Sequence, residues 1–352
     1  MIRLSAVALL AAVATAPAAY AQSAPKFEVD ATWPKPLPEG WITGQLGGVC
    51  VDARDNVIVV NRGDITAEEA ENATGAPPII IFDSQGNVVG AFGDPKVVPK
   101  SIHGCFVDTA GNIWVGGNSD AMVQKYARDG KLLLQIGSKD AFDSADGTAK
   151  GKGLNASPDK LFLPSGVAVD AGSGEVFISD GYGNRRVAVF DRNGKFLRQW
   201  GRQGTPDEAM AGTPAVFSQI VHCITLSNAG LVYVCDRQGD RVQVFDRNGN
   251  FQRNIWVTPQ GPAALPDKRG TAWWVGFSPD REQKFMYVMN GGKERVEILD
   301  HASGKILASF GRPGHQAGNF THGHTLAVDS KGNIYVAETD WGRRVQKFKI
   351  VE

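Results

Sequence analysis

Among the six histidines of this 352-residue chain, three stand at one fixed phase. His103 lies five residues before Asp108, His222 five before Ser227, and His324 five before Asp329. Each of those Asp or Ser residues closes a short apolar segment, so the shared offset puts the three imidazoles at equivalent points of three separate units. Three neutral imidazole nitrogens with a fourth direction left open are the ligand set of a catalytic zinc, whereas structural zinc is normally closed by four protein ligands, often thiolates. His315 and His322 are near neighbours of the third position, but only His324 keeps the offset. One Zn2+ held by His103, His222 and His324 is therefore the expectation that the rest of the sequence has to support.

The units that position these residues are repeats. A segment ending in Asp or Ser, a turn, and an alternating strand recurs six times, at Val51-Asp52, Val107-Asp108, Val169-Asp170, Leu226-Ser227, Phe277-Ser278 and Val328-Asp329. Each copy is followed by a second hairpin, as in Val187 to Trp200 around Asn193-Gly194 and Val242 to Phe251 around Asn248-Gly249. An Asn-Gly pair between alternating strands predicts a two-residue turn with positive φ at its central positions. Two hairpins per unit and a spacing of roughly fifty residues predict an all-β, six-bladed β-propeller with four-stranded blades. Five residues before each landmark the innermost strands begin, at Gly47, His103, Ser165, His222, Trp273 and His324. The histidines thus fall in blades two, four and six, about 120° apart around the axis.

The last copy runs out of chain with three strands, and Lys26 to Asp30 resembles the missing outer strand, so the N-terminal segment is expected to close the ring. Strand alternation puts the start of each first strand on the same face as the connection from the second strand to the third. Three such connections carry reactive side chains: Arg62 in Asn-Arg-Gly-Asp, Tyr182 between Gly181 and Gly183, and Arg237 in Asp-Arg-Gln-Gly-Asp. Arg186, Arg241, Arg295 and Arg344 each directly precede the third-strand Val and read as structural arginines. Two polar insertions, 61–78 and 137–161, read as surface loops shaping the mouth.

Charge decides little. Thirty-seven basic and thirty-seven acidic residues supply no field for nucleic acid or anionic lipid. The start, Met-Ile-Arg followed by an apolar Ala-rich run to Ala19-Tyr20-Ala21, has the form of a cleaved export signal. Residues 1–21 are therefore read as a signal peptide and 22–352 as one catalytic propeller domain, periplasmic or secreted, with no membrane span. A monomer is expected. Four cysteines in an oxidising compartment permit disulfides. Cys223 and Cys235 flank one hairpin and are candidates for pairing, whereas Cys50 and Cys105 have no local argument and read as free buried thiols.

Val176-Phe-Ile-Ser-Asp-Gly-Tyr182-Gly-Asn-Arg-Arg-Val-Ala-Val-Phe190, together with His103 in His-Gly-Cys, His222 in Val-His-Cys and His324 in Gly-His-Thr, resembles the peptidyl-α-hydroxyglycine α-amidating lyases, within the wider NHL-repeat propellers. The resemblance implies zinc on the three histidines, Tyr182 as catalytic tyrosine, Arg62 as active-site arginine and Arg237 as a second, substrate-binding arginine. It implies cleavage of the C–N bond of an N-acyl carbinolamine to an amide and a carbonyl such as glyoxylate. The substrate would be a small molecule or peptide-like. The animal lyases of the family carry an Asp after the third histidine that helps bind Ca2+; here it is Thr325, which leaves calcium open. Gly183 stands where the family has a Cys. Rival readings are a zinc hydrolase of esters or lactones on the same ring, and a non-enzymatic NHL-repeat binding protein. A calcium lactonase would need Glu, Asp and Asn at the six starting positions, which they do not supply.

Overall fold

A computed structural model of the protein describes residues 23–257 and 269–351. The expected signal peptide lies outside these residues. Six four-stranded antiparallel sheets follow one another along the chain, each running from an innermost strand outward. The innermost strands are Leu46–Val51, Ile102–Val107, Gly166–Val169, Val221–Leu226, Trp274–Phe277 and Gly323–Val328. This is the six-bladed propeller that the repeat predicts.

Burial explains the strand composition. In the middle strands, such as Val57–Asn61, Val176–Asp180 and Arg186–Phe190, every residue is buried, because neighbouring blades cover both faces. The outer strand Phe196–Trp200 alternates between half-buried and exposed. Apolar side chains that are continuous in the middle and alternating at the rim are what radially stacked sheets require. Each fully buried Val, Ile or Phe of the middle strands contributes about 1.5–3 kcal/mol relative to exposure.

The sixth sheet closes as expected: Lys26–Val29 pairs antiparallel with Val345–Val351, placing Phe27 opposite Ile350 and Val29 opposite Phe348. Phe27 also packs its ring on Phe310 of blade five at 4.9 Å. First and last parts of the chain are thereby locked into one blade.

The repeated landmark owes its constancy to a turn. Asp52 accepts the amides of Arg54 and Asn56, Asp108 those of Ala110 and Asn112, and Asp329 those of Lys331 and Asn333. Ser227 and Ser278 do the same job with a hydroxyl, accepting from Leu231 and Phe285. An acidic or hydroxyl side chain that caps its own turn is favoured for this local geometry.

The outer hairpins differ from the expected two-residue turn. Asp191 accepts from the amides of Asn193 and Lys195, and only Gly194 has positive φ, at 85°. The Asp carboxylate supports an ordinary turn through Asn193, so the left-handed residue is needed once, and glycine supplies it.

The cysteines also correct the sequence reading. Cys223 and Cys235 are disulfide-bonded across neighbouring strands of blade four, with Cα atoms 4.9 Å apart. Cys50 and Cys105 are bonded as well, Cα to Cα 5.4 Å, and no cysteine is free. This second bond joins the innermost strands of blades one and two, a contact between repeats that no local pattern reveals. The expected thiol of Cys105 beside His103 is therefore a disulfide sulfur. No helix among the described residues is long and apolar enough to cross a membrane.

Candidate metal centre

Three of the innermost strands carry a histidine at or beside a break in register. Pairing shifts after His103 in blade two, across His222 in blade four and across His324 in blade six. Such bulges bend a strand and re-aim a side chain. Gly104, at φ 67°, completes the first of them, and a Cβ there would fall 2.5 Å from the Ser165 carbonyl oxygen.

All three imidazoles are buried and meet on the axis. Their ring centroids lie 4.6 Å (His103 to His324), 5.0 Å (His103 to His222) and 5.1 Å (His222 to His324) apart. Among the described residues, candidate ligand atoms of these three converge within 4.8 Å of one another. The His103 Nδ1–H donates to the Ser165 carbonyl and the His222 Nδ1–H to the Trp273 carbonyl, both at 2.6 Å. These acceptors are the starting residues of blades three and five, so alternate blades supply ligands and the blades between them set the tautomer. With Nδ1 protonated, the Nε2 lone pair faces the centre. His324 lacks this anchor, since its buried Nδ1 has no partner.

Burial and positive neighbours keep the histidines neutral. Burial, followed by the charge of Arg62, lowers His103 to about 3. His222 and His324 are held well below the usual imidazole value, first by burial and then by their neighbouring imidazoles and the two arginines. A buried, neutral, convergent nitrogen set fits a borderline-soft divalent cation such as zinc. His103, His222 and His324 would hold it.

The connections chosen from strand alternation reach this centre. The Tyr182 hydroxyl lies 3.0 Å from His222 Nε2 and 3.2 Å from His103 Nε2. One phenolic proton serves both nitrogens, so at any moment one of the two contacts lacks a donor. The Arg237 guanidinium lies over the Trp273 ring at 4.6 Å and the Tyr182 ring at 5.8 Å. Arg62 donates from Nη1 to Gln45 Oε1 at 2.9 Å and to the Thr339 hydroxyl at 3.3 Å. Among the described residues neither arginine has a carboxylate partner, and each leaves a buried Nε unbonded. Two guanidiniums without a described counter-charge thus stand near three neutral imidazoles.

Several supporting residues escape sequence reasoning. Arg185, half-buried against the Tyr182 loop, directs Nη1 at the carbonyls of Gly181, Tyr182, Gly183 and Asn184, at 2.6–3.1 Å. Burial lowers its guanidinium to about 10. Its adjacency to the structural Arg186 hides it in the sequence. Trp273 occupies a starting position without a ligand's chemistry, yet it packs on His222 and His324 at 5.5 and 5.9 Å. Gln45 and Asp64 form a second tier: Asp64 accepts both the backbone and the side-chain amide of Gln45, which in turn holds Arg62.

The glycines flanking Tyr182 are dictated by space. A Cβ on Gly181 would sit 1.9 Å from the Val221 carbonyl oxygen, and one on Gly183 would sit 2.3 Å from the Phe162 ring. No cysteine fits at 183. The loop 137–161 is mostly exposed, as expected, but it is anchored from within by Phe142 on Phe162 at 5.6 Å and by Asp143 accepting from Asn184 at 3.1 Å. The competitors are placed elsewhere: His315 pairs with Thr321, and His322 contacts Arg269 and Asp340. Thr325, at the family's calcium position, is buried with its hydroxyl accepting the Val49 amide at 3.1 Å.

Sequence comparison places relatives across most of this chain. It is 28% identical over 264 residues to peptidyl-alpha-hydroxyglycine alpha-amidating lyase 1 of Drosophila melanogaster, covering 70% of this chain and 44% of that protein. With peptidylglycine alpha-amidating monooxygenase of Rattus norvegicus it shares 25% identity over 342 residues, 88% of this chain but 31% of that protein. The chain thus spans about a third of the monooxygenases it matches. NHL repeat-containing protein 3 of Mus musculus is 29% identical over 338 residues, covering 92% and 84%. No protein-family model matches the sequence. Among solved structures, a streptogramin B lyase superposes with a TM-score of 0.54 at 14% identity, covering 93% of this chain and 98% of that one, which is a likeness of fold. By sequence and fold together, the chain is a six-bladed propeller homologous to the peptidyl-α-hydroxyglycine α-amidating lyases, the amidating monooxygenases and NHL repeat-containing protein 3.

Proposed function

We propose that the chain is a zinc-dependent carbon–nitrogen lyase that cleaves an N-acyl carbinolamine acid, such as an N-acyl-α-hydroxyglycine, to a primary amide and glyoxylate. The observation that carries this reading is the Tyr182 hydroxyl held between His103 and His222, beside two arginines that have no acidic partner among the described residues. The cation would supply Lewis acidity to the carbinol oxygen. Arg62 and Arg237 receive the substrate carboxylate, Arg62 through a planar fork already aimed by Gln45 and Thr339. Tyr182 takes the carbinol proton as the carbonyl forms and the C–N bond breaks, and the amide nitrogen gains a proton from the same hydroxyl. Arg185 keeps the loop from drifting during this transfer.

The reading includes export, to the periplasm or beyond, and a monomer acting on a small or peptide-like molecule, with no nucleic-acid or membrane partner. Two disulfides fit an oxidising compartment. The test is incubation of zinc-loaded protein with α-hydroxyhippurate, measuring benzamide and glyoxylate in equal amounts. Zinc-loaded protein that releases neither, but hydrolyses an ester or lactone, would replace the lyase with a hydrolase.

A further inference from the structure

We infer that Trp341 is the platform for the apolar acyl group of the substrate, so that the site selects amphiphilic acids with an aromatic or long aliphatic acyl portion. The inference rests on the proposed carboxylate seat at Arg62 and Arg237.

Trp341 is 79% exposed, whereas the other seven tryptophans are buried or half-buried. A tryptophan left in water on a mobile tip would mean little. This one is on a fixed turn. The Thr339 amide donates to the His322 carbonyl at 3.0 Å, and the Gly342 amide returns to the Thr339 carbonyl at 2.9 Å. Arg343 is tied to Glu69 and to the Thr43 carbonyl, and Arg344 to Glu338. A Cβ on Gly342 would fall 2.3 Å from the Thr321 carbonyl oxygen, so the turn sits hard against the blade. Asp340 and Arg343 both carry positive φ, 46° and 47°, conformations that non-glycine residues adopt at a cost. The backbone is held in a strained form that leaves the indole outside.

The same turn touches the site. The Thr339 hydroxyl accepts from Arg62, and the Asp340 amide donates to the Gln45 oxygen that also accepts from Arg62. The turn is the blade-six counterpart of the connection that presents Tyr182 in blade three, on the same face. The described groups therefore run from a metal-type nitrogen set, through the guanidiniums of Arg62 and Arg237, to a turn bonded to Arg62 and Gln45 that carries an exposed indole. An occupant complementary to that order has its carbinol at the centre, its carboxylate on the arginines and its acyl group against the indole. Indole faces also favour offset stacking with aromatic rings.

The test uses zinc-loaded mature protein and two ligands that lack the carbinol hydroxyl, hippurate and N-acetylglycine, with dissociation constants from calorimetry. The wild type is expected to bind hippurate about tenfold more tightly, or about 1.4 kcal/mol. Trp341→Ala reduces that preference to about twofold or less while leaving N-acetylglycine unchanged, and Trp341→Phe restores most of it. No preference in the wild type, no binding of either ligand, or an unaltered preference in Trp341→Ala overturns the inference. So does equal loss of both ligands, which would mark a collapsed turn, or a change only in sedimentation, which would mark a contact between copies. Glyoxylate release is scored separately: ligand selection through Trp341 without turnover removes the lyase reading alone, and turnover without that selection removes the platform alone.

Discussion

Two sets of arginines on this ring meet opposite fates. Arg186, Arg241, Arg295 and Arg344, each just before a third strand, donate from Nε to Asp180, Asp236, Glu297 and Glu338 at 2.6–3.0 Å. Their charge is matched inside the protein, and Arg186 also reaches the carbonyls of Ser157 and Lys160, pinning the long loop to blade three. Among the described residues, Arg62 has neutral hydrogen-bond partners and Arg237 lies over aromatic faces, neither with a carboxylate. Arg62 and Arg237 are half-buried, so their charge is partly withdrawn from water without a described acidic partner, a situation that a bound anion would relieve. The arginines paired with carboxylates hold the blades together, and under the proposed reading the two without a described carboxylate partner would meet the substrate.

The largest expected effects fall on the second kind. His222→Ala should remove bound zinc, from about one per chain to none by elemental analysis, and turnover with it. Secondary structure by circular dichroism should persist, because the blades do not depend on the centre. Unchanged zinc content would dismantle the triad. Tyr182→Phe should keep the metal and lower kcat by roughly 10²–10⁴. Full activity in that variant would assign the proton transfer to another group.

How much of this contrast the sequence reveals depends on whether a feature is local. The landmark Asp or Ser is legible because its turn is closed within a few residues, and counting from it found the triad. The separation of Arg186 and its equivalents from Arg62 and Arg237 is legible for the same reason, since phase along the strand sets direction. The Cys50–Cys105 bond, the Arg185 clamp and the inward packing of Phe142 on Phe162 are contacts between repeats or beneath a loop, and no spacing announces them. The lone positive φ of Gly194 was missed because the deciding group is the Asp191 side chain rather than the Asn-Gly pair.

A direct break of the comparison exchanges one residue from each set. Arg186→Gln strands Asp180 without its ion pair, both groups being essentially buried, and should cost about 3–5 kcal/mol in denaturant unfolding. KM should rise little in the molecules that remain folded. Arg62→Gln should leave the unfolding free energy within about 0.5 kcal/mol of the wild type while raising KM roughly 10–100-fold, by loss of a charge-assisted bond. Reversed outcomes would mean that the two sets have been misassigned.

The smallest effect tests the landmark turns, where polar groups are matched but lie nearer water. Burial opposes ionisation of Asp108, yet the donors of Asn112, Lys125 and Trp114 outweigh it and hold the carboxyl below 3.8. Asp52 is depressed in the same way by Asn56, Arg54 and Arg128. A carboxyl depressed on folding lends stability at pH values above its unfolded value and withdraws it as pH falls through the folded one. Unfolding free energy should therefore fall first below about pH 6.5, where unfolded histidines take up protons that buried His103, His222 and His324 resist, and the depressed carboxylates should steepen the decline below about 4. Asp108→Asn should lower the neutral-pH plateau by about 0.5–1.5 kcal/mol and flatten part of the acid decline, since the amide keeps one acceptor and cannot titrate. An acid slope identical in wild type and variant would show that Asp108 is a geometric spacer whose charge is not felt, leaving its two backbone hydrogen bonds as the whole of its role.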